Sequence, residues 1–555
     1  DALPQTGVWD RPRIWTLAHL KGEAEWWTDH TLIGVGNTTP KAGKKFPRAN
    51  AVYLSTDRGE SWKMLGGKPI DKFYPDGGYG DLEYDPATGW FVYLSYRGKG
   101  LHGNAEIVQY RFRLKGRKEL SVFQHLVRTE SWTEKWPDDS GGFEEREVTA
   151  EIWTAAMQAS LDETGSLHIP ARDKPYYLNG PLVLKSGQRL TADAKAEIRL
   201  KPGSNTCMVR NANLVGFKDG PVPDETKPDT DIHIEGGIWT TLSTAKNELN
   251  GNARGHSSRQ NWAFGTHGVI LFQNARRISV KNVTVRKSKP FAIHLGNVHD
   301  FEIDGLTLED HYRDGVHVNG PASQGVIRNI CGVSHDDPVA LNAWEWKNYA
   351  PSYGPIRDVL VENVTGRSSG TSSIRLLPGV KRFDDGTELD CPLENITLRH
   401  ITDIREFKIY DQPNLELGRD KDFSIGVGSI RNLRFEDLVF NRLGKIELHA
   451  NTDGLVIRKV RINHPINDDW HLLAIGPKSQ TYKGGRSEDP ARYTEIFSPD
   501  LDCTVQNVAV SGVRPRDSQT DLPIDRVVKV IELQPNSDYP KTTPKGGTGK
   551  GIWIR

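Results

Sequence analysis

Two short segments carry carboxylates in matching positions. His311-Tyr312-Arg313-Asp314-Gly315-Val316 places Asp314 two residues before a valine, and Ser334-His335-Asp336-Asp337-Pro338-Val339 does the same with Asp337. Asp336 adds a third carboxylate, aimed differently because side chains alternate along an extended chain. Cleavage of a glycosidic bond needs two carboxyl groups in unlike states: one protonated for the leaving oxygen, one ionised to activate water. Three carboxylates in a small volume repel, which raises the pKa of at least one. An Asp-rich turn or a calcium site is the alternative reading of the same residues.

The chemistry depends on Asp314 and Asp337 being stacked, and an internal repeat predicts that they are. An alternating apolar unit closed by a turn-forming residue recurs at 278–283, 301–306, 326–330, 359–364, 396–401, 433–438 and 455–460, with a last copy at 503–508. The turn-forming residues are Asn282, Gly305, Asn329, Asn363, His400, Asp437 and Lys459, separated by 23, 24, 34, 37, 37 and 22 residues. Short spacings fit one bare coil and long ones a coil with an inserted loop. Coils of this kind bury a continuous core only by stacking. The fold class expected is all-β, a right-handed parallel β-helix over residues 148–555. Leucine-rich repeats would need a leucine-heavy consensus and a helix in each unit, and neither is present.

Each coil carries a second strand with a three-residue ladder: 293–295, 316–318, 339–341, 374–376, 407–409 and 446–448. The flanking residues are apolar and face inward. The central ones, His294, His317, Ala340, Arg375, Lys408 and Glu447, face outward and are expected to line a substrate groove beside the carboxylates. In stacked coils neighbouring positions lie about 4.8 Å apart. Trp344 and Trp346, in the segment after the Asp pair, are candidates for a sugar-stacking platform.

The first 130 residues read as a separate, smaller β domain, propeller-like or sandwich-like. Ser55-Thr56-Asp57-Arg58-Gly59-Glu60-Ser61-Trp62 is similar to the Asp-box of sialidase-like propellers. In such a box Asp57 would bond backbone amides and Trp62 would pack between blades, a structural role. Residues 131–147, polar and containing Pro and Gly-Gly, read as a linker. A capping helix is predicted from Thr149 to about Asp162, with Ile152, Ala155, Ala156 and Ala159 on one face and Gly165 just past its end.

Composition narrows the partners. Lys and Arg total 72 against 72 Asp and Glu, which argues against a nucleic-acid footprint and a polybasic membrane surface. No apolar run reaches the roughly 18 residues of a membrane span. With 15 Trp and 16 Tyr, the chain has flat rings suited to sugar faces, although most are expected in the core. Cys207, Cys331, Cys391 and Cys503 lack metal-ligand spacing, and Cys331 reads as a small buried apolar residue. No cofactor and no metal are called for. The partner expected is a poly- or oligosaccharide, met in the extracellular space or the periplasm.

The pair of carboxylate motifs resembles the family 28 glycoside hydrolases, the polygalacturonase group. Arg313-Asp314-Gly315 is similar to that family's T-D-G and His335-Asp336-Asp337 to its G-D-D, with 22 residues from Asp314 to Asp336. The resemblance covers roughly residues 145–480 and implies Asp336 as general acid. It implies that Asp314 and Asp337 hold and deprotonate water, with inversion at the anomeric carbon, and that Lys408 contributes to substrate binding. The chain departs from the pattern where the family has G-H-G: here stands Gly370-Thr371-Ser372-Ser373. A literal Asn451-Thr452-Asp453-Gly454, followed by Asp468-Asp469, opens a repeat strand and reads as a turn. A polysaccharide lyase on the same fold, with Arg375 and Lys408 in other roles, and a non-catalytic carbohydrate-binding or adhesin β-helix are the alternatives.

Overall fold

The computed structural model describes residues 9–16, 32–38, 49–55, 63–64, 69–70, 76–77, 80–85, 90–98, 105–112, 120–137, 143–204, 206–214, 227–241, 268–345, 352–366, 373–383, 385–410, 428–475 and 505–530. The chain divides into two compact units, Asp1–Val122 and Phe123–Arg555.

The first unit contains two four-stranded antiparallel sheets. One runs in chain order through Trp9–Thr16, Leu32–Thr38, Ala49–Ser55 and Lys63–Met64. In the other, Asp76–Gly77, Asp81–Asp85 and Ala105–Phe112 all pair with Trp90–Gly98. Ile33, Val35, Val52, Leu82, Phe91 and Tyr93 form their shared core. The segment read as an Asp-box falls between the paired strands Ala49–Ser55 and Lys63–Met64; Asp57 and Trp62 lie outside the described residues.

The second unit opens with a correction. The described residues of the stretch read as a linker, 131–137 and 143–147, lie in two antiparallel strands, Arg128–Pro137 and Phe143–Ile152. The far end of the second joins the first coil, where Ile152 pairs in parallel with Tyr177. Thr149 and Ile152 are therefore held in a strand, and the helix starts later than predicted, at Thr154–Thr164. The buried face is Ala156, Met157, Ser160 and Leu161; of the predicted face Ile152 and Ala156 are buried, whereas Ala155 is exposed and Ala159 half-buried. Gly165 ends the helix at φ 75, as predicted, and its N–H donates to Leu161 O.

From there the chain winds as a right-handed parallel β-helix. One inward row runs through Val280, Ile303, Ile327, Val361, Leu398, Phe435, Ile457 and Val510, each paired in parallel with the next. The turn-forming residues of the repeat share one cause. Asn282, Gly305, Asn329, Asn363, His400, Asp437, Lys459 and Asn507 all have φ between 51 and 82, the left-handed conformation that Gly and Asn tolerate best. At 326–330 the repeat is phased differently from its reading: Gly325, not Val326, takes the inward position opposite Phe301. A Cβ there would lie 2.1 Å from the Phe301 ring. The same phase turns Ile330 inward and leaves Cys331 exposed, which corrects the expectation of a buried Cys331.

Outward positions of this sheet carry an alternating charge row. Lys281, Asp304, Arg328, Glu362, Arg399, Glu436 and Arg458 are consecutive register partners. Arg328 reaches Asp304 at 2.8 Å, Arg399 reaches Glu362 at 2.6 Å, and Arg458 reaches Glu436 at 2.6 Å.

Lys459 is the least suited residue in the left-handed row. A non-glycine, non-Asn residue in that conformation costs roughly 1 kcal/mol, and Asn is better tolerated. Lys459→Asn is expected to raise stability by about 0.5–1 kcal/mol. An unchanged or lowered denaturation midpoint in urea contradicts this account of the row.

Candidate active site

Consecutive coils place the carboxylates. Val316 and Val339 are register partners, as are His317 and Ala340. One step before them, Gly315 N donates to Asp337 O at 2.9 Å, and Ala292 N donates to Asp314 O at 2.9 Å. Gly315 is required by this close approach, since a Cβ would meet Pro338 O at 2.5 Å. The result brings carboxylate oxygens of Asp314, Asp336 and Asp337 within 4.8 Å of one another. The next coils supply cations. Arg375 Nη2 lies 2.8 Å from Asp337 Oδ2 and Lys408 Nζ lies 3.2 Å from Asp337 Oδ1.

The three carboxyl groups differ electrostatically. Burial alone would raise Asp314, but His317 Nδ1 at 2.6 Å from its Oδ2, with Arg375 and Arg313 beyond, holds it well below the usual carboxylate range. Burial pushes Asp337 up to about 7 against the pull of Arg375 and Lys408, with Asp336 and Asp314 adding to the rise. Burial and the charge of Asp314 also raise Asp336. Asp336 and Asp337 therefore titrate as a pair rather than singly. Direct contacts decide where a shared proton resides. Asp337 has two cations in contact. Asp336 has Arg313 at 3.7 Å and Arg375 at 3.9 Å, too long for hydrogen bonds. The proton accordingly favours Asp336, whose side chain is also the most accessible of the three at 26%.

No protein-family profile and no curated protein matches the chain. Solved structures similar to it include the family 28 exopolygalacturonase of Yersinia enterocolitica, at 12% identity and TM-score 0.37 over 80% of this chain and 83% of that one. The polygalacturonase of Erwinia carotovora ssp. carotovora matches at 14% identity and TM-score 0.39, over 68% and 94%. PfbA, a surface protein and adhesin of Streptococcus pneumoniae, matches at 11% and TM-score 0.36, over 74% and 96%.

The outward ladder has the expected register: His294, His317, Ala340, Arg375, Lys408 and Glu447 are successive partners. Its first half does not line an open groove. His294 is 0% and His317 1% exposed. The Phe291 ring stacks on His317 at 3.9 Å and 7°, and Glu345 closes its other side. His294 is pushed down to about 3 by burial, with His317 adding to the effect, and its Nε2 bonds Asn319 Oδ1 at 2.7 Å. Neither histidine is placed to touch a sugar. Arg375 and Lys408 are partly exposed, and Glu447 is paired with Lys445.

Trp344 is fully buried, which removes it as a sugar platform: its place at the end of the Val339–Asn342 strand turns it into the core. Trp346 and Ser372 lie outside the described residues. In the literal Asn-Thr-Asp-Gly segment, Asp453 accepts a hydrogen bond from Asn507 at 2.6 Å within the Asn451–Ile462 strand. Asp468 is exposed against Arg526. Neither joins the carboxylate cluster.

The residue missed from sequence is Glu345. Its Oε2 lies 3.2 Å from His317 Nε2, and it accepts a hydrogen bond from Asn342. It sits between the two tryptophans singled out for stacking. The available signal was a carboxylate five residues past the outward ladder position Ala340.

Proposed function

We propose that this protein is a glycoside hydrolase acting on a polysaccharide or glycan outside the cytoplasm, with Asp336 as general acid. The observation that carries the reading is the division of labour among three adjacent carboxylates. One is accessible and has no cation within hydrogen-bond distance, whereas Asp314 and Asp337 are each held by closer ones. In the proposed reaction Asp336 gives its proton to the glycosidic oxygen as the bond to the anomeric carbon breaks. Water adds to that carbon and its proton passes to Asp337, with Asp314 helping to hold the water. The cycle leaves Asp336 ionised and Asp337 protonated, and a proton shift between adjacent carboxylates resets the site.

We read the outcome as inversion. Carboxylate oxygens within 4.8 Å of one another are closer than the roughly 6.5–9.5 Å common in inverting pairs. A covalent nucleophile, however, must be free to swing onto the anomeric carbon, and Asp314 and Asp337 are both held in place by His317, Arg375 and Lys408. A lyase would need a neutral proton acceptor. A guanidinium and an ammonium held on one carboxylate are poorly suited to that role.

The test is product analysis on a panel of polysaccharides. The expected result is new reducing ends of inverted configuration by NMR, with no near-ultraviolet absorbance. An unsaturated, absorbing product assigns a lyase, a retained anomer assigns a covalent route, and binding without turnover assigns a non-catalytic role. Because the acid must be protonated, kcat/KM is expected to fall as pH rises, at a pH above the ordinary carboxylate range, since burial and the charge of Asp314 raise Asp336. A rate that keeps rising to pH 9 excludes the pair as acid.

A further inference from the structure

We propose that Glu345, acting through His317, keeps Asp314 ionised, so that the proton of the carboxylate cluster stays on the acid side of the site. The inference rests on the hydrolase reading for its catalytic consequence, though not for its geometry.

His317 lies between two carboxylates. Its Nδ1 is 2.6 Å from Asp314 Oδ2 and its Nε2 is 3.2 Å from Glu345 Oε2. A neutral imidazole has one ring nitrogen without a proton, so one of these contacts would set a lone pair against a carboxylate. Only the imidazolium presents an N–H on both sides, hydrogen-bonded to Asp314 and at ion-pair distance, outside hydrogen-bond geometry, from Glu345. The ring cannot turn away. Phe291 stacks flat on it, and His294 packs edge-on at 5.2 Å and 88°. Both acidic partners are buried, with side chains 2% exposed, so water does not screen the arrangement. Consistent with this, burial works against the charge, yet Asp314 and Glu345 together raise His317 to about 9.

The surrounding charges show what the relay does. His294 is neutral and His311 Nε2 bonds Asp314 O at 3.1 Å, so neither neutralises the Asp314 carboxylate. Across the coil face Asp336 and Asp337, with Arg375 and Lys408 in contact with Asp337. Arg313 lies 3.7 Å from Asp336. Without a charged His317, Asp314 would be a buried carboxylate beside two others, with the nearest cations engaged elsewhere. It would then compete with Asp336 for the proton. His317 and Glu345 are positioning residues, since neither is exposed to substrate.

The experiment measures pH profiles of kcat and kcat/KM for the wild type, His317→Gln, Glu345→Gln and Glu345→Asp, with long-range ¹H–¹⁵N NMR of the histidine rings in the full chain. His317→Gln is expected to move the acidic limb upward by about one unit or more, since an opposite charge at this distance shifts a carboxyl by roughly 1–3 units. KM should change little, and kcat near pH 5 should fall at least about tenfold. Glu345→Gln should give a smaller shift in the same direction, and Glu345→Asp should partly restore it. Equal losses at every pH overturn the proposal, because a purely structural role leaves the limbs in place. The NMR arm does not depend on turnover. Both ring nitrogens of His317 should stay protonated through pH 8 in the wild type and lose that state earlier in Glu345→Gln. If the wild type cleaves no polysaccharide, the hydrolase reading fails while NMR still decides the relay; a neutral His317 at pH 7 overturns it. If His317→Gln does not fold, the two Glu345 variants carry the test.

Discussion

Asp336→Asn is expected to lower turnover of a natural polysaccharide by about 10²–10⁴-fold, the usual contribution of general acid catalysis. The change keeps the side-chain shape and removes the proton donor. An aryl glycoside with a good leaving group needs that proton less and should lose far less rate. Asp337→Asn should instead hurt both substrates alike, because the proposed base acts on water and not on the leaving group. The double comparison separates the roles. Near-normal turnover of the polymer by Asp336→Asn shows that the reaction takes place elsewhere. A loss equal on both substrates removes Asp336 from the acid role while leaving it in the site.

Trp344→Ala is expected to destabilise the β-helix by about 3–5 kcal/mol, the range for emptying a buried large aromatic site. Trp344 is 0% exposed, and its backbone N–H donates to Leu377 O at 3.1 Å on a neighbouring coil. A sugar platform at the same residue would give the opposite pattern: a raised KM in a protein of normal stability. Thermal and urea denaturation, with KM measured on the folded fraction, distinguish the two. Trp344→Phe, which fills most of the volume, should recover much of the lost stability.

The coil stacking was legible because it rests on two strong local signals. Alternation shows which face of a strand is buried, and a residue tolerant of positive φ marks the bend that ends it. Together these put Asp314 beside Asp337 from the sequence alone. The phase slipped once, at Val326, because Gly325 makes room for the Phe301 ring and a glycine carries no apolar signal of its own. The pair of strands at 128–137 and 143–152 was illegible for a related reason. Glu144, Glu145, Arg146 and Glu147 lie in a strand exposed on both faces, so no alternation sets it apart from a linker.

The site was half legible. Parity along a strand says that His294 and His317 leave the core, but not what covers them outside it. That depends on Phe291 and on Glu345, a residue on the chain just after a strand, whose approach to His317 no periodicity encodes. The same limit misplaced Trp344. An aromatic after a strand end can turn in or out, and only the packing of the neighbouring coil decides.

The alternating row from Lys281 to Arg458 bears on how such a chain avoids assembling wrongly. Coils with similar apolar patterns can stack on a neighbour's neighbour, looping out the one between, and the core would scarcely register the error. The charge row would. Skipping one coil sets Arg328 against Arg399, or Asp304 against Glu362, like charge on like along the same edge, which is unfavourable. Skipping two restores opposite pairs. The row therefore works as a parity check on assembly, and any long-lived misfolded species should have two coils looped out rather than one.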